Sequence, residues 1–361
     1  MPERGSPTIQ IFTSVSFGGI PDEERSDSKR VFGFEFKAIS TLRCPSRLLF
    51  CYNPAMTDHP VIHISGLRKT YGDLADGDDI SFEVRPGEIF GLVGPNGAGK
   101  TTTIECLEGL RQADGGDIRV LGLDPRRDGP ALREKIGAQL QESALPDRIR
   151  VWEALDLFSS FYAHPAPWEP LLEQLGLVEK RDAAFGKLSG GQKQRLFIAL
   201  ALVNDPALVF FDELSTGLDP QARRSMWDFI RVIRAAGKTV FLTTHYMEEA
   251  ERLCDRVAVI DHGRLAALDT PENLICGLGA EHRVVFTADA AVEAAALKAL
   301  PGVTRVEPIG ERTIVYGRDD RLVVEVVNFL STNHIKFRDL RTEQADLEDV
   351  FLALTGREMR D

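Results

Sequence analysis

Short, almost wholly apolar runs recur through the middle of the chain, separated by longer stretches with helical spacing. Ile89–Val93, Leu208–Phe211, Val240–Thr243 and Val257–Ile260 predict strands covered on both faces. Val61–Ser65 and Ile80–Val84 predict two further strands. Thr101–Leu110 has helical spacing, and Val151 to about Asn204 is mostly helical, broken at Pro165 and Pro167. Strands alternating with helices from about residue 60 to 278 predict a largely parallel α/β layer structure. After residue 282 the rhythm changes. Val284–Thr287 predicts a strand, Ala290–Leu300 a helix, and Val303–Val306 pairs with Thr313–Tyr316 across Gly310. Leu322–Phe329 is helical, Ile335–Leu340 a strand and Leu347–Leu354 a closing helix. The order β-α-β-β-α-β predicts a small ferredoxin-like α+β domain.

The 361 residues allow about two domains with a large core. Residues 1–57 carry no clear period, and their seven basic and six acidic side chains nearly cancel. With no apolar segment after a basic start, they are not a secretory signal. They read either as a disordered tail or as untranslated sequence ahead of a start at Met56. The organisation expected is thus an extension over 1–57, a nucleotide-binding domain over 58–278 and a small C-terminal domain over 282–361. The net charge of −12 argues against broad nucleic-acid binding, which needs a basic face. Five scattered cysteines, with no paired metal spacing, suggest free thiols in a reducing compartment. No run of 18 or more apolar residues is present to span a membrane.

Chemistry concentrates at the ends of the apolar runs. Gly94-Pro95-Asn96-Gly97-Ala98-Gly99-Lys100-Thr101 fits G-x-x-x-x-G-K-[ST] between a predicted strand and a predicted helix. Its glycines let successive N–H groups face an anion, and the following helix adds its positive dipole end. Lys100 can reach β- and γ-phosphates, and the Thr101 hydroxyl, followed by Thr102, can ligate Mg²⁺. Asp212 ends a buried strand, at the sheet edge where α/β ligands bind, and is expected to hold Mg²⁺. Glu213 follows and points elsewhere, free to act on water as a general base. Leu188-Ser189-Gly190-Gly191-Gln192 opens another helix whose start can present donors to an anion.

This last element, lying between the phosphate loop and the acidic strand end, makes the chain resemble the ATP-binding-cassette ATPases. The resemblance covers about residue 60 to the end. It implies a P-loop cassette with a helical subdomain, ATP and Mg²⁺ as bound groups, and ATP hydrolysis as the activity. It also implies that Ser189, Gly190, Gly191 and Gln192 face the phosphate loop of a second ATPase subunit, expected to be a second copy. Tyr71 lies where the family stacks an aromatic ring on adenine, and His245 where it has a histidine at the γ-phosphate. Gln141 matches the family glutamine that contacts metal and water, with Gln139 as a competing position. Gly217-Leu218-Asp219 resembles the loop that crosses the dimer interface. Leu214-Ser215 departs from the usual Pro-Thr and gives up the fixed φ of proline.

Within the family, Thr244–Arg256 and Leu347–Leu352 look like the daunorubicin-resistance branch of bacterial drug exporters. The expected function is therefore the energising subunit of an exporter of a drug or other amphipathic substrate. A separate integral membrane permease would hold it at the cytoplasmic face of the cell membrane. The alternative is a soluble ATPase of the same superfamily acting on nucleic acid or ribosomes. Against it stand the single cassette and the lack of a coiled-coil heptad run.

Overall fold

The computed structural model describes residues 59–71, 74–139, 144–278, 282–289, 293–317, 321–343 and 345–356. The extension expected over 1–57 lies outside the described residues. Strands β1 (Ile62–Tyr71) and β2 (Leu74–Val84) pair antiparallel. Next come β3 (Ile89–Val93), α1 (Lys100–Leu107), β4 (Gly115–Val120), α2 (Gly129–Arg133) and β5 (Ile136–Gln139). The predicted helical stretch contains α3 (Val151–Ser159), α4 (Glu169–Gln174) and α5 (Gly190–Leu202). Alternation resumes with β6 (Leu208–Asp212), α6 (Pro220–Ala235), β7 (Thr239–Thr244), α7 (Met247–Leu253), β8 (Arg256–Asp261), β9 (Arg264–Asp269) and α8 (Pro271–Gly277).

The main sheet has the order β5-β6-β7-β3-β8-β9, parallel except for β9. Every residue of β3, β6 and β7 is buried, which is why these strands read as continuous apolar runs. Their side chains alternate between two cores. Ile89, Val93, Phe211 and Leu242 face a core shared with α3, α5, α6 and α7. Phe90, Leu92, Phe210 and Phe241 face one shared with α1 and the sheet β2-β1-β4. There Phe90 stacks on Phe82 and Phe241, with ring centroids 5.1 and 5.6 Å apart. The expectation of a largely parallel layer thus holds for the six-stranded sheet, while a second, antiparallel sheet covers one of its faces.

Parallel pairing has a consequence for the site. Strands β6, β7 and β3 lie side by side in that order, and Asp212 pairs with Thr243 while Thr244 pairs with Val93. Three loops therefore leave one sheet edge together: those after Val93, Asp212 and Thr244.

The C-terminal segment contains β10 (His282–Ala288), α9 (Ala294–Lys298), β11 (Val303–Ile309), β12 (Arg312–Gly317), α10 (Leu322–Thr332), β13 (Phe337–Glu343) and α11 (Leu347–Thr355). The sheet order is β11-β12-β10-β13, with every pair antiparallel, which is the ferredoxin-like arrangement. Val284, Phe286 and Val315 pack with Leu297, Leu322, Val326 and Leu330 in a core of their own. Helix α11 does otherwise. Its Leu347, Val350 and Phe351 belong to the core that contains α7. The Leu347 N–H donates to Glu251 (3.2 Å), and Asp349 pairs with Arg283 of β10 (2.6 Å).

Candidate active site

The loop between β3 and α1 wraps a cleft of about 300 Å³ lined by Asn96, Gly97, Gly99, Lys100, Thr101, Thr102 and Glu213. Gly97 and Gly99 have φ of 79° and 96°, a region closed to most side chains. Gly94 is required for a different reason, since a Cβ there would collide with the Ile260 carbonyl. Gly94, Pro95 and Ala98 are not among the cleft's lining residues. The Gly94 and Pro95 carbonyls accept from Lys100 Nζ at 2.9 and 3.1 Å, and the Ala98 N–H donates to the Pro95 carbonyl at 3.1 Å. These three residues shape the loop from behind. Burial lowers the Lys100 pKa, opposed by the neighbouring carboxylates of Glu213 and Asp212.

Asp212 is buried at the end of β6. It accepts from the Thr243 hydroxyl, and the Thr101 side chain bonds it as well. Burial pushes its carboxyl above the usual range, against those two hydrogen bonds. A carboxylate and a threonine hydroxyl already brought together, in a setting that disfavours bare negative charge, form a donor set suited to a hard divalent cation.

Glu213 turns out of the strand with φ of 50°, unusual for a side chain with a Cβ. Its N–H is held by both the carbonyl and the hydroxyl of Thr243, each at 3.1 Å. The carboxylate lies between Lys100 Nζ (3.3 Å) and His245 Nδ1 (3.4 Å). The His245 ring sits 4.1 Å from that of Tyr246, over which the Arg223 guanidinium stacks at 4.1 Å.

Ser189 caps α5 in a reciprocal box: its N–H donates to the Gln192 side chain (3.0 Å), and the Gln192 N–H to its hydroxyl (3.3 Å). Ser189 and Gly190 are exposed, and none of Ser189–Gln192 lines the cleft described above. Asp219 caps α6 through the N–H groups of Gln221 and Ala222 at 3.0 and 2.9 Å. Its neighbour Ala222 lies 3.7 Å from where a Cβ on Gly191 would be. Gln141 and the Tyr71 side chain lie outside the described residues, whereas Gln139 is buried within β5.

Thr243 and Glu249 take part in the site's scaffold with no role read for either in the sequence, although Glu249 falls within Thr244–Arg256. A hydroxyl at the end of an otherwise apolar strand was the visible signal for Thr243. Glu249 has no local signal, because its partners lie on three other elements.

Residues 77–216 match the ABC transporter family. The chain is 42% identical over 318 residues to Nod factor export ATP-binding protein I of Ralstonia nicotianae, covering 85% of this chain and 98% of that protein. Identity to the protein of the same name from a Rhizobium species is 41% over 304 residues, covering 82% and 98%. A solved ATP-binding subunit of an ABC transporter superposes with a TM-score of 0.55 at 29% identity, over 61% of this chain and 93% of that one. An ATP-binding cassette solved in its ADP conformation gives 0.54 at 25% identity, over 60% and 92%. The matched residues 77–216 carry the phosphate loop, the Ser189 box and the Asp212-Glu213 strand end, and the chain belongs to the ABC transporter family of ATPases.

Proposed function

We propose that this chain hydrolyses ATP to drive export of an amphipathic substrate, a drug among the candidates, through a separate integral membrane permease at the cytoplasmic face. The export names of its relatives support the direction of transport. That no helix among the described residues is long and apolar enough to cross a membrane fits a peripheral subunit. The phosphates of ATP lie against the N–H groups of Asn96–Thr102 and the start of α1, with adenine stacked on Tyr71. Lys100 exchanges its loop carbonyls for β- and γ-oxygens. Thr101, Asp212 and Gln141 would hold Mg²⁺, which would supply charge neutralisation at the phosphate oxygens.

Glu213 takes a proton from the attacking water. The new P–O bond forms at the γ-phosphorus as the bond to the β-phosphate oxygen breaks, and ADP leaves. His245 steadies the γ-phosphate from the far side of Glu213. Ser189–Gln192 acts on the nucleotide of a second copy, in keeping with its exposure away from its own cleft.

The observation that carries this reading is the Glu213 carboxylate at the cleft lining, between Lys100 and His245. Glu213→Gln should lower ATP turnover by roughly 10²- to 10⁴-fold while ATP affinity stays within a few-fold. Lys100→Ala should weaken ATP binding by about 1.5–3 kcal/mol, the loss of a charge-assisted contact. Parent-level turnover in the glutamine variant would remove Glu213 from the role of base. A stoichiometric integral membrane protein in detergent-solubilised co-purifications tests the permease, and its absence counts against export.

A further inference from the structure

Glu249 stands on α7, one turn beyond His245, and is 2% exposed. Its carboxylate gathers donors from three other elements. The Ser215 hydroxyl donates at 3.0 Å, from the loop that leaves Glu213. The Trp227 indole N–H donates at 3.0 Å, from α6. The Thr244 hydroxyl also bonds the carboxylate, from the end of β7 immediately before His245. Thr244 is fixed on its other side, where its hydroxyl oxygen accepts the Tyr246 N–H at 2.9 Å. Ser215, Trp227 and Thr244 are all buried, and neither they nor Glu249 line the nucleotide cleft.

We infer that Glu249 is a positioning residue for hydrolysis, tying the loop that carries Glu213 to the strand end that carries His245. The inference rests on the assignment of Glu213 and His245 made above. Its physical basis is the backbone at Glu213, held at φ of 50° in the left-handed region. Such a conformation persists only where surrounding contacts over-determine it. Proline is absent at 214, so the loop gains no stiffness from a fixed φ there. Thr243 and the Thr216 N–H hold the Glu213 backbone itself, and Ser215, two residues after Glu213, adds a side-chain anchor on Glu249. The two carboxyl oxygens of Glu249 can take three donors at once, whereas a glutamine amide offers a single acceptor oxygen. Loss of the anchor leaves the phosphate loop intact and lets Glu213 and His245 drift relative to each other.

Steady-state ATPase assays on the full chain test this, with melting temperature measured for every variant. Glu249→Leu should lower kcat on the order of 10- to 100-fold, the sensitivity of a reacting pair to a displacement of about 1 Å. The KM for ATP should stay within about twofold, because the cleft lining is untouched. Glu249→Gln keeps one oxygen acceptor and an amide able to donate to Ser215, and should recover much of the loss. Ser215→Ala should lower kcat at unchanged KM in the parent and have no further effect alongside Glu249→Leu.

A folded Glu249→Leu with parent kcat, or one that raises KM in step with any kcat loss, overturns the inference. If Glu249→Leu does not fold, Ser215→Ala decides: reduced kcat at unchanged KM supports the anchor, and unchanged kcat overturns it. Glu213→Gln is assayed in parallel. Parent turnover there defeats the Glu213 assignment and this inference with it, whereas an inactive Glu213→Gln beside fully active Glu249 and Ser215 variants defeats the inference alone.

Discussion

Glu108 is 2% exposed at the end of α1, and neither of its carboxyl oxygens has a hydrogen-bond partner. Burial pushes its pKa well above the ordinary 4.5, and the negative charges of Asp212 and Glu105 push it further. The folded chain thus holds a proton here that the unfolded chain releases. The resulting stability is fully present below pH 4.5 and is lost as pH rises towards the folded pKa. Glu108→Leu removes both the unpartnered oxygens and this pH dependence. Melting curves at pH 5 and pH 8 should show a larger gain at pH 8, roughly 1–3 kcal/mol, the usual cost of an unsatisfied buried polar group. Equal gains at the two pH values would mean that Glu108 does not titrate in this range. At this scale the sequence reveals residues whose role is set by local spacing, such as Lys100 and Ser189, and those at the tip of an apolar run, such as Asp212 and Glu213. It conceals Thr243 and Glu249, most of whose partners lie 22 to 34 positions away and meet them through tertiary packing.

Among elements, β3, β6, β7 and β8 are legible because burial on both faces makes their central residues apolar and leaves polar side chains to the strand ends. Strand β9 was not read, because it is the antiparallel edge of the main sheet and its burial is only partial. Strand β4 carries Gly115, Gly116 and Asp117, poor strand formers at an edge position, and it too escaped. The helix expected over Ala290–Leu300 is five residues, Ala294–Lys298, with 290–292 outside the described residues. Helix α11 was predicted as closing the C-terminal domain, and its apolar face instead completes the core around α7. Phe351 is 1% exposed there, so Phe351→Ala should cost about 3–5 kcal/mol in denaturant unfolding. Leu354, 45% exposed on the same helix, should tolerate alanine within about 0.5 kcal/mol. Similar losses at both positions would show that α11 does not dock through Phe351.

For the whole molecule, charge and assembly are opposed. Two copies at a formal −12 each repel, and the proposed closure over two ATP molecules would have to overcome that repulsion. Glu213→Gln should therefore dimerise on adding ATP, more readily at 0.3 M than at about 0.03 M salt as screening shortens the Debye length. Ser189→Arg in that background should bind ATP as a monomer, since bulk and charge now meet the opposing phosphates. Sedimentation velocity with and without ATP reads both outcomes. An ATP-dependent dimer of the arginine variant as stable as its parent would refute the facing arrangement. The docking of α11 matters before any of this can occur. A ribosome finishes α7 and α8 roughly 4–16 s before α11, at typical synthesis rates of about 5–20 residues per second. Throughout that interval the seat for Leu347, Val350 and Phe351 stands open as an apolar patch. A polypeptide released too early keeps it open, and exposed patches of this kind are what chaperones and proteases act on. Docking of the closing helix is thereby what removes this patch from their reach.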